Sequence, residues 1–389
     1  MLISAEQWVT QKNKVDIILF DERGAKWLSR CIPNNATTVI LPRRVLVKRL
    51  FNLSLLSTFL YWFIFGDFGK SGVRARLISS YFVAFIKKVN PKVVLSNNDG
   101  SEVIRAIHIN CTGIFVAAIQ LATRERFQNS KILTLPVYYS FGQAEGKLFL
   151  ASGLNCDDLR PVGSLRNSIY LDEIRRESGN VEDGPEIVFI SQWKRGLMLN
   201  PQSRIYKLIN IGHRKTFQAV QKYATAHSMS LGIVLRNTRD QDDDMLQQEK
   251  YFVEAAGTVD LMFLRGLDDL LDSYKHAYSA KLVVNFLSTL GYEVFGAGKR
   301  VLFSVGLGGG EMFISEWGVR ELVEELPSHV VLLDDHEDQI PRMISQLREM
   351  SNEEYESSTQ KAREYYMGYN QQERTHINIR SDIQAILST

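Results

Sequence analysis

The residues of this chain best suited to chemistry gather in one turn. Residues 287–299 read LSTLGYEVFGAGK, between apolar runs at 282–286 and 300–303. Ser288 or Thr289 can cap a helix through its hydroxyl, and the first-turn N–H groups then face an approaching anion. Gly291 lets a phosphate or a sugar come close to the backbone. Glu293, one turn in, can accept hydrogen bonds from a pair of ribose or sugar hydroxyls. The same residues suit a plainer arrangement, a capped crossover helix in which Glu293 completes a capping interaction. The turn by itself does not choose between them. A second polar turn, SNNDGSE over 96–102, follows an apolar run at 91–95 and holds two carboxylates, Asp99 and Glu102. Its plain reading is an Asp-Gly turn with Asp99 or Ser101 capping the next helix.

The elements that must position these turns alternate short β-branched runs with helical stretches, as in parallel sheets wound by crossover helices. Strands are expected at 15–20, 37–41, 91–95, 113–119, 131–135 and 138–141, with a long helical region over 45–88 broken near 66–72. Between 172 and 185 the composition turns charged and loses its apolar period. The alternation then restarts, with strands expected at 186–190, 230–235, 261–264, 282–286, 300–303 and 329–333 and a helical tail from 341. This divides the chain into a first α/β domain over 1–170, a linker over 171–185 and a second over 186–389 with the tail. In such sheets ligands bind beyond the carboxyl ends of the strands.

The stretch from Tyr278 to Ser304 resembles the donor-binding half of GT-B glycosyltransferases. More narrowly it is similar to bacterial surface carbohydrate proteins of O-antigen and capsule assembly. VGSLRN over 162–167 and IVFISQW over 187–193 are similar to the same narrower family. The fold implied is GT-B-like: two Rossmann-like α/β/α domains facing a central cleft, the first on the acceptor side and the second binding the nucleotide sugar. The resemblance puts Ser288, Thr289, Gly291 and Glu293 on the donor. Ser191 and Gln192 would face the same cleft from the end of the second domain's first strand. Arg236 and Asn237 stand at an equivalent strand end. Arg236 can offer a bidentate fork to a diphosphate or a carboxylated sugar, or pair with the acidic run 240–244. Lys299 either neutralises phosphate or is a solvated lysine at a strand start.

The activity implied is transfer of a sugar from a nucleotide-activated donor to a bacterial surface polysaccharide or lipopolysaccharide acceptor. CMP-activated acidic sugars such as Kdo are among the donors. Transfer needs a base for the acceptor proton or a carboxylate nucleophile, and Asp99 and Glu102 are the candidates. A sugar-nucleotide epimerase shares this architecture, and a non-catalytic scaffold of a glycan assembly complex is the alternative outside enzymes. The loop GLGGGE over 306–311 has neither the Lys-Ser/Thr of a P-loop nor the order of a dinucleotide fingerprint, and reads as a flexible edge loop. No metal or other cofactor is expected, since a helix dipole and basic groups can hold a diphosphate. The run 240–244 reads as a solvated helix start.

Bulk properties exclude other classes. A formal charge of +2 argues against a nucleic-acid partner. Three scattered cysteines, Cys31, Cys111 and Cys156, form no metal or redox spacing and fit a reducing compartment. The first ten residues lack the pattern of a signal peptide, so a cytoplasmic location is expected. The apolar run Leu53–Phe65 is shorter than the roughly 20 residues of a spanning helix. It reads as a buried helix, a dimer contact, or a peripheral contact with the inner face of the membrane, the last helped by Arg43, Arg44, Lys48 and Arg49 upstream.

Overall fold

The computed structural model describes residues 2–4, 14–20, 22–42, 53–68, 72–97, 101–123, 134–153, 155–176, 184–193, 203–236, 241–258, 260–265, 271–368 and 374–389. It forms two compact units, one of Met1–Leu121, Phe127–Ile169 and Asn370–Thr389, the other of Ala122–Arg126 and Tyr170–Tyr369. Each is built on a parallel sheet. The strand sequences are apolar at consecutive positions rather than at alternate ones, so they are stable only with helices over both faces.

In the first unit the elements run β1 (Leu2–Ser4), β2 (Ile17–Phe20), α1 (Glu22–Leu28), β3 (Thr38–Leu41), α2 (Leu53–Phe65), α3 (Val73–Val89), β4 (Val93–Ser96), α4 (Glu102–Asn110), β5 (Phe115–Ile119), β6 (Thr134–Ser140), α5 (Gln143–Ala151) and β7 (Asn155–Pro161), and α6 (Leu165–Arg176) passes from this unit into the second after Ile169. The sheet order is β1-β3-β2-β4-β5-β6-β7, every pair parallel. The chain winds outward one way from β2 and then back past it to β4, so the topological switch lies between β2 and β4. Phe20 is in register with Ser96 there.

The second unit continues with β8 (Ile187–Ile190), α7 (Arg204–Ala226), β9 (Leu231–Val234), α8 (Gln241–Ala256), β10 (Met262–Leu264), α9 (Asp272–Ser279), β11 (Leu282–Asn285), α10 (Thr289–Gly296), β12 (Val301–Phe303), α11 (Gly310–Trp317), α12 (Gln339–Glu349) and α13 (Asn352–Met367). Its order is β10-β9-β8-β11-β12, again all parallel. The switch falls between β8 and β11, where Ile190 is in register with Asn285.

The structure departs from the sequence reading at several places. Strand β7, NCDDLRP, has no apolar run because it lies at the sheet edge with a single neighbour, where solvent takes its polar residues. Strand β6 passes unbroken through Pro136, which sits where the ladder skips a residue: Leu135 pairs with Cys156 and Val137 with Asp158. Residues 329–333 contribute only an isolated bridge, Phe303 to Val331. Helix α6 runs on to Arg176, into the span expected as linker.

The tail also divides. Its last helix, α14 (Thr375–Ser388), belongs to the first unit. Ile379 and Ile383 are fully buried. Asp382 pairs with Arg160 and accepts from the Tyr139 hydroxyl at 3.0 Å. Thr375 donates to the Val162 carbonyl at 2.6 Å, and Lys92 to the Leu387 carbonyl at 2.8 Å. Among the described residues no helix is long and apolar enough to cross a membrane.

Ile379→Ala is expected to destabilise the first unit by about 2–4 kcal/mol through the cavity it leaves. Urea unfolding, with limited proteolysis reporting each unit, should show the first unit's transition move and the second's stay. A shift confined to the second unit would contradict this placement of the tail.

Candidate functional site

At the switch of the second sheet, one buried amide shapes the turn. Asn285, the last residue of β11, is fully buried. Its Oδ1 accepts the Ser288 N–H at 2.9 Å, and its Nδ2 donates to the Ser288 carbonyl at 3.1 Å. These bonds close residues 285–288 and set Ser288 in extended backbone as the cap of α10. The Ser288 hydroxyl makes no capping bond, because the amide has already fastened the turn. The first-turn N–H groups have no carbonyl four residues back to bond, so the start of α10 carries the positive end of its dipole. Gly291 has a local cause as well: a Cβ there would overlap the Asn285 amide. The glycine is required by the packing of Asn285 whatever approaches from outside.

Two other members of the turn have partners. Thr289 Oγ1 accepts the Thr123 N–H at 2.9 Å and shares a hydrogen bond with the Thr123 hydroxyl at 2.9 Å. Thr123 belongs to the short segment counted with the second unit. Glu293 is buried and accepts from the Tyr274 hydroxyl at 2.7 Å. Tyr274 stacks on Tyr170, with ring centroids 5.5 Å apart, which fixes the donor of that bond.

The ends of β8 and β9 are tied to each other by side chains the sequence did not single out. Ser191 donates to Gln248 Oε1 at 3.2 Å and accepts the Trp193 N–H at 3.2 Å. Gln248, fully buried on α8, also accepts the Arg236 N–H at 3.0 Å and donates to the Arg236 carbonyl at 2.9 Å. One amide thus holds both strand ends, and the Arg236 side chain projects as an exposed group. The Gln192 N–H donates to His213 Nε2 at 3.1 Å. That nitrogen must be unprotonated, so Nδ1 carries the proton and faces the Tyr251 hydroxyl at 3.3 Å. Burial among Phe189, Tyr251, Phe252 and Phe286 lowers the His213 pKa to about 3, because an imidazolium would lose its hydration there.

The structure therefore brings Ser191, Gln192, Arg236, Ser288, Thr289, Gly291 and Glu293 to the carboxyl ends of β8, β9 and β11. Lys299 is not with them. It precedes β12 at the amino ends of the strands, where Nζ donates to the Tyr278 and Ala280 carbonyls at 2.8 and 2.6 Å, and burial lowers its pKa. A phosphate at Ser288 would not meet it. Asn237 and Asp99 lie outside the described residues. Glu102 opens α4 in the first unit, half-buried, beyond the switch of that sheet. At that switch Asn97 is packed so tightly on Gly24 that a Cβ at Gly24 would overlap its amide.

The glycine-rich loop is a packed element rather than a flexible edge. Gly308 has φ +110° and donates its N–H to Asp335 Oδ1 at 3.0 Å, and Asp335 pairs with Lys215 at 3.0 Å. Gly212 on α7 lies under the Leu307 carbonyl, with no room for a side chain. In the acidic run, Asp243 is exposed and accepts from Gln247 at 3.1 Å, while Asp244 is buried. Among the described residues, no three His, Cys, Asp or Glu side chains gather as a metal would require. Asn285 had a signal in the sequence, a polar residue inside an apolar strand. Gln248, His213 and Tyr274 sit in ordinary helical patterns and had none.

No protein-family model matches the sequence, and no curated protein matches it. Solved structures match in fold. The UDP-GlcNAc 2-epimerase of Neisseria meningitidis, bound to UDP-GlcNAc, is 14% identical with a TM-score of 0.52, over 97% of this chain and 100% of that one. The UDP-GlcNAc 2-epimerase of Methanocaldococcus jannaschii, in complex with UDP-GlcNAc and UDP, is 12% identical with a TM-score of 0.53, over 96% and 100%. The wall teichoic acid polymerase TagF is 10% identical with a TM-score of 0.50, over 96% and 89%. The fold is GT-B-like, with two parallel-sheet α/β domains.

Two outcomes test the site's construction. Gly291→Ala must displace the Asn285 amide and is expected to cost about 1–3 kcal/mol; Asn285→Ala in the same chain should relieve the clash, so the two changes will be less than additive in urea unfolding. His213 has its folded pKa below the value of about 6.5 it takes when unfolded. The stability of its neutral form is therefore present above pH 6.5 and lost as pH falls, by up to about 1.4 kcal/mol per pH unit. His213→Gln should be less stable at pH 7.5 but lose less between pH 7.5 and 5. Equal losses in the two proteins would refute the neutral, buried imidazole.

Proposed function

We propose that this chain is an enzyme acting on a nucleotide sugar, with the nucleotide held by the second unit at the carboxyl ends of β8, β9 and β11. The observation that carries this is that the α10 N-terminus and the Ser288 hydroxyl stand at the topological switch between β8 and β11, with Arg236 at the carboxyl end of β9, the next strand beyond β8. A helix start and a guanidinium are complementary to a diphosphate. Glu293, oriented by Tyr274, is the acceptor for ribose or sugar hydroxyls, since a carboxylate accepts several hydrogen bonds. Lys299 takes no part, and no metal is needed in this scheme. Asp99 and Glu102 are the candidate acid–base groups.

Two reactions fit such a site. Epimerisation of the sugar with no acceptor has the fuller structural parallel, because the likeness spans the whole of two epimerases whose structures hold UDP-GlcNAc. Transfer of the sugar to a surface polysaccharide or glycolipid is supported by the resemblance at 278–304 and by the likeness to TagF. Product analysis separates them: an epimerase yields a new nucleotide sugar from the donor alone, and a transferase releases nucleotide when given an acceptor.

The expected first result is a thermal shift with at least one of the UDP, GDP, dTDP, CDP or CMP sugars. Ser288→Ala should then weaken nucleotide binding about tenfold, the loss of one hydrogen bond to a charged group, without lowering the melting temperature of the free protein. Asp99→Asn and Glu102→Gln should reduce turnover while leaving binding within about twofold. No response to any donor would sink the proposal, and full turnover in both carboxamide variants would remove the two carboxylates from it.

A further inference from the structure

Helix α2 is apolar on more than its core-facing side. Leu55 is buried, and Phe59 and Trp62 pack against the first unit's core. The outward stripe, which a helix of a water-soluble surface gives to polar residues, carries Leu60, Tyr61, Ile64 and Phe65 at helical spacing. Ile64 is 59% and Phe65 70% exposed, and the start of α3 extends the surface with Val73, 74% exposed, and Leu77. This end of the helix pair is fastened. Arg76 donates to the Phe63 carbonyl at 2.8 Å and the Ile64 carbonyl at 3.0 Å. Beyond it, Asp67 exchanges hydrogen bonds with Asn110 at 2.9 and 2.8 Å, and Phe68 is buried. The exposed apolar groups thus project from an ordered support, at no evident gain to folding.

Charge decides what would cover them. Residues 43–89 contain nine Lys or Arg and a single acid, Asp67, whereas the rest of the chain has 37 basic and 43 acidic residues. The near-neutral total divides, along the sequence, into a positive segment that includes the apolar helix pair and a negative remainder. A second copy meeting this surface face to face would set like charges against each other. A bilayer with anionic lipids offers the complement of both properties, an apolar layer beneath a negative surface. Tyr61 and Trp62 are the side-chain types that favour that boundary.

We propose that the α2–α3 end of the first unit docks on an anionic phospholipid bilayer, with Leu60, Ile64, Phe65 and Val73 entering the headgroup–acyl boundary and Arg74 and its basic neighbours meeting lipid phosphates. This does not depend on the reaction catalysed. The test is co-sedimentation of the full chain with sucrose-loaded vesicles. Binding is expected to phosphatidylglycerol–phosphatidylcholine vesicles but not to phosphatidylcholine alone at about 0.1 M salt, and to fall at about 0.5 M salt as charge is screened. I64E/F65E should reduce the bound fraction about tenfold with an unchanged melting curve. If that variant melts early, Phe65→Ser carries the test, since Phe65 is mostly solvent-exposed and should be replaceable without loss of fold. Failure of the wild type to sediment with anionic vesicles, or equal sedimentation of wild type and variant, overturns the proposal. So does a concentration-dependent dimer that I64E/F65E dissolves, which would assign the surface to a second copy.

Discussion

The second unit depends on the side-chain amide of Asn285. A parallel strand that ends at a topological switch must release its chain into a turn while keeping its last polar backbone groups satisfied. Asn285 does this with two hydrogen bonds to Ser288, each worth about 0.5–1.5 kcal/mol net and more costly to leave unmade. The same amide occupies the space a side chain at residue 291 would need, so Gly291 follows from it. Because the amide secures the turn, the Ser288 hydroxyl is not consumed as a cap. A polar residue at the end of an otherwise apolar strand thus fixes both the geometry of the helix start and the chemistry left over there.

The neighbouring strand ends solve the same problem with uncharged groups. Gln248 serves Ser191 and Arg236 at once, and His213 serves Gln192 only as a neutral imidazole. A charged side chain in either place would need its own compensation in an apolar surround. Among the described residues, the strand ends held by these neutral groups carry the Arg236 side chain and the start of α10. Such an arrangement suits the diphosphate of the reading proposed above, and rigid supports for the groups that would touch it reduce the ordering cost of binding.

The parts of the fold legible in sequence were those with a local signature. Continuous apolar runs marked the buried strands. Strand β7 was illegible because edge strands need not be apolar, and α14 because its amphipathic pattern says that it packs and not on which unit. The candidate site was legible in the same uneven way. Ser288, Thr289, Gly291 and Glu293 lie in one short segment, so proximity in the chain stands for proximity in space. Gln248 and His213 reach the strand ends from helices 57 and 21 residues away from their partners, and no local pattern announces such a contact. Lys299 misled because nearness along the chain ignores the length of α10, which carries it back to the amino ends of the strands.

The glycines sharpen the same lesson. A glycine-rich loop and a glycine near a helix start both suggest a ligand approaching the backbone, and in both places the approaching group is the protein. The Leu208 carbonyl lies against Gly308, and the Asn285 amide lies over Gly291. Close packing of backbone on backbone is needed wherever crossover helices press on a twisted parallel sheet, so glycine there is first a packing residue. What recommends the α10 turn as the proposed nucleotide site is therefore not its glycine. It is the hydroxyl at Ser288, which the turn has no structural use for, beside a helix start aimed beyond the strand ends.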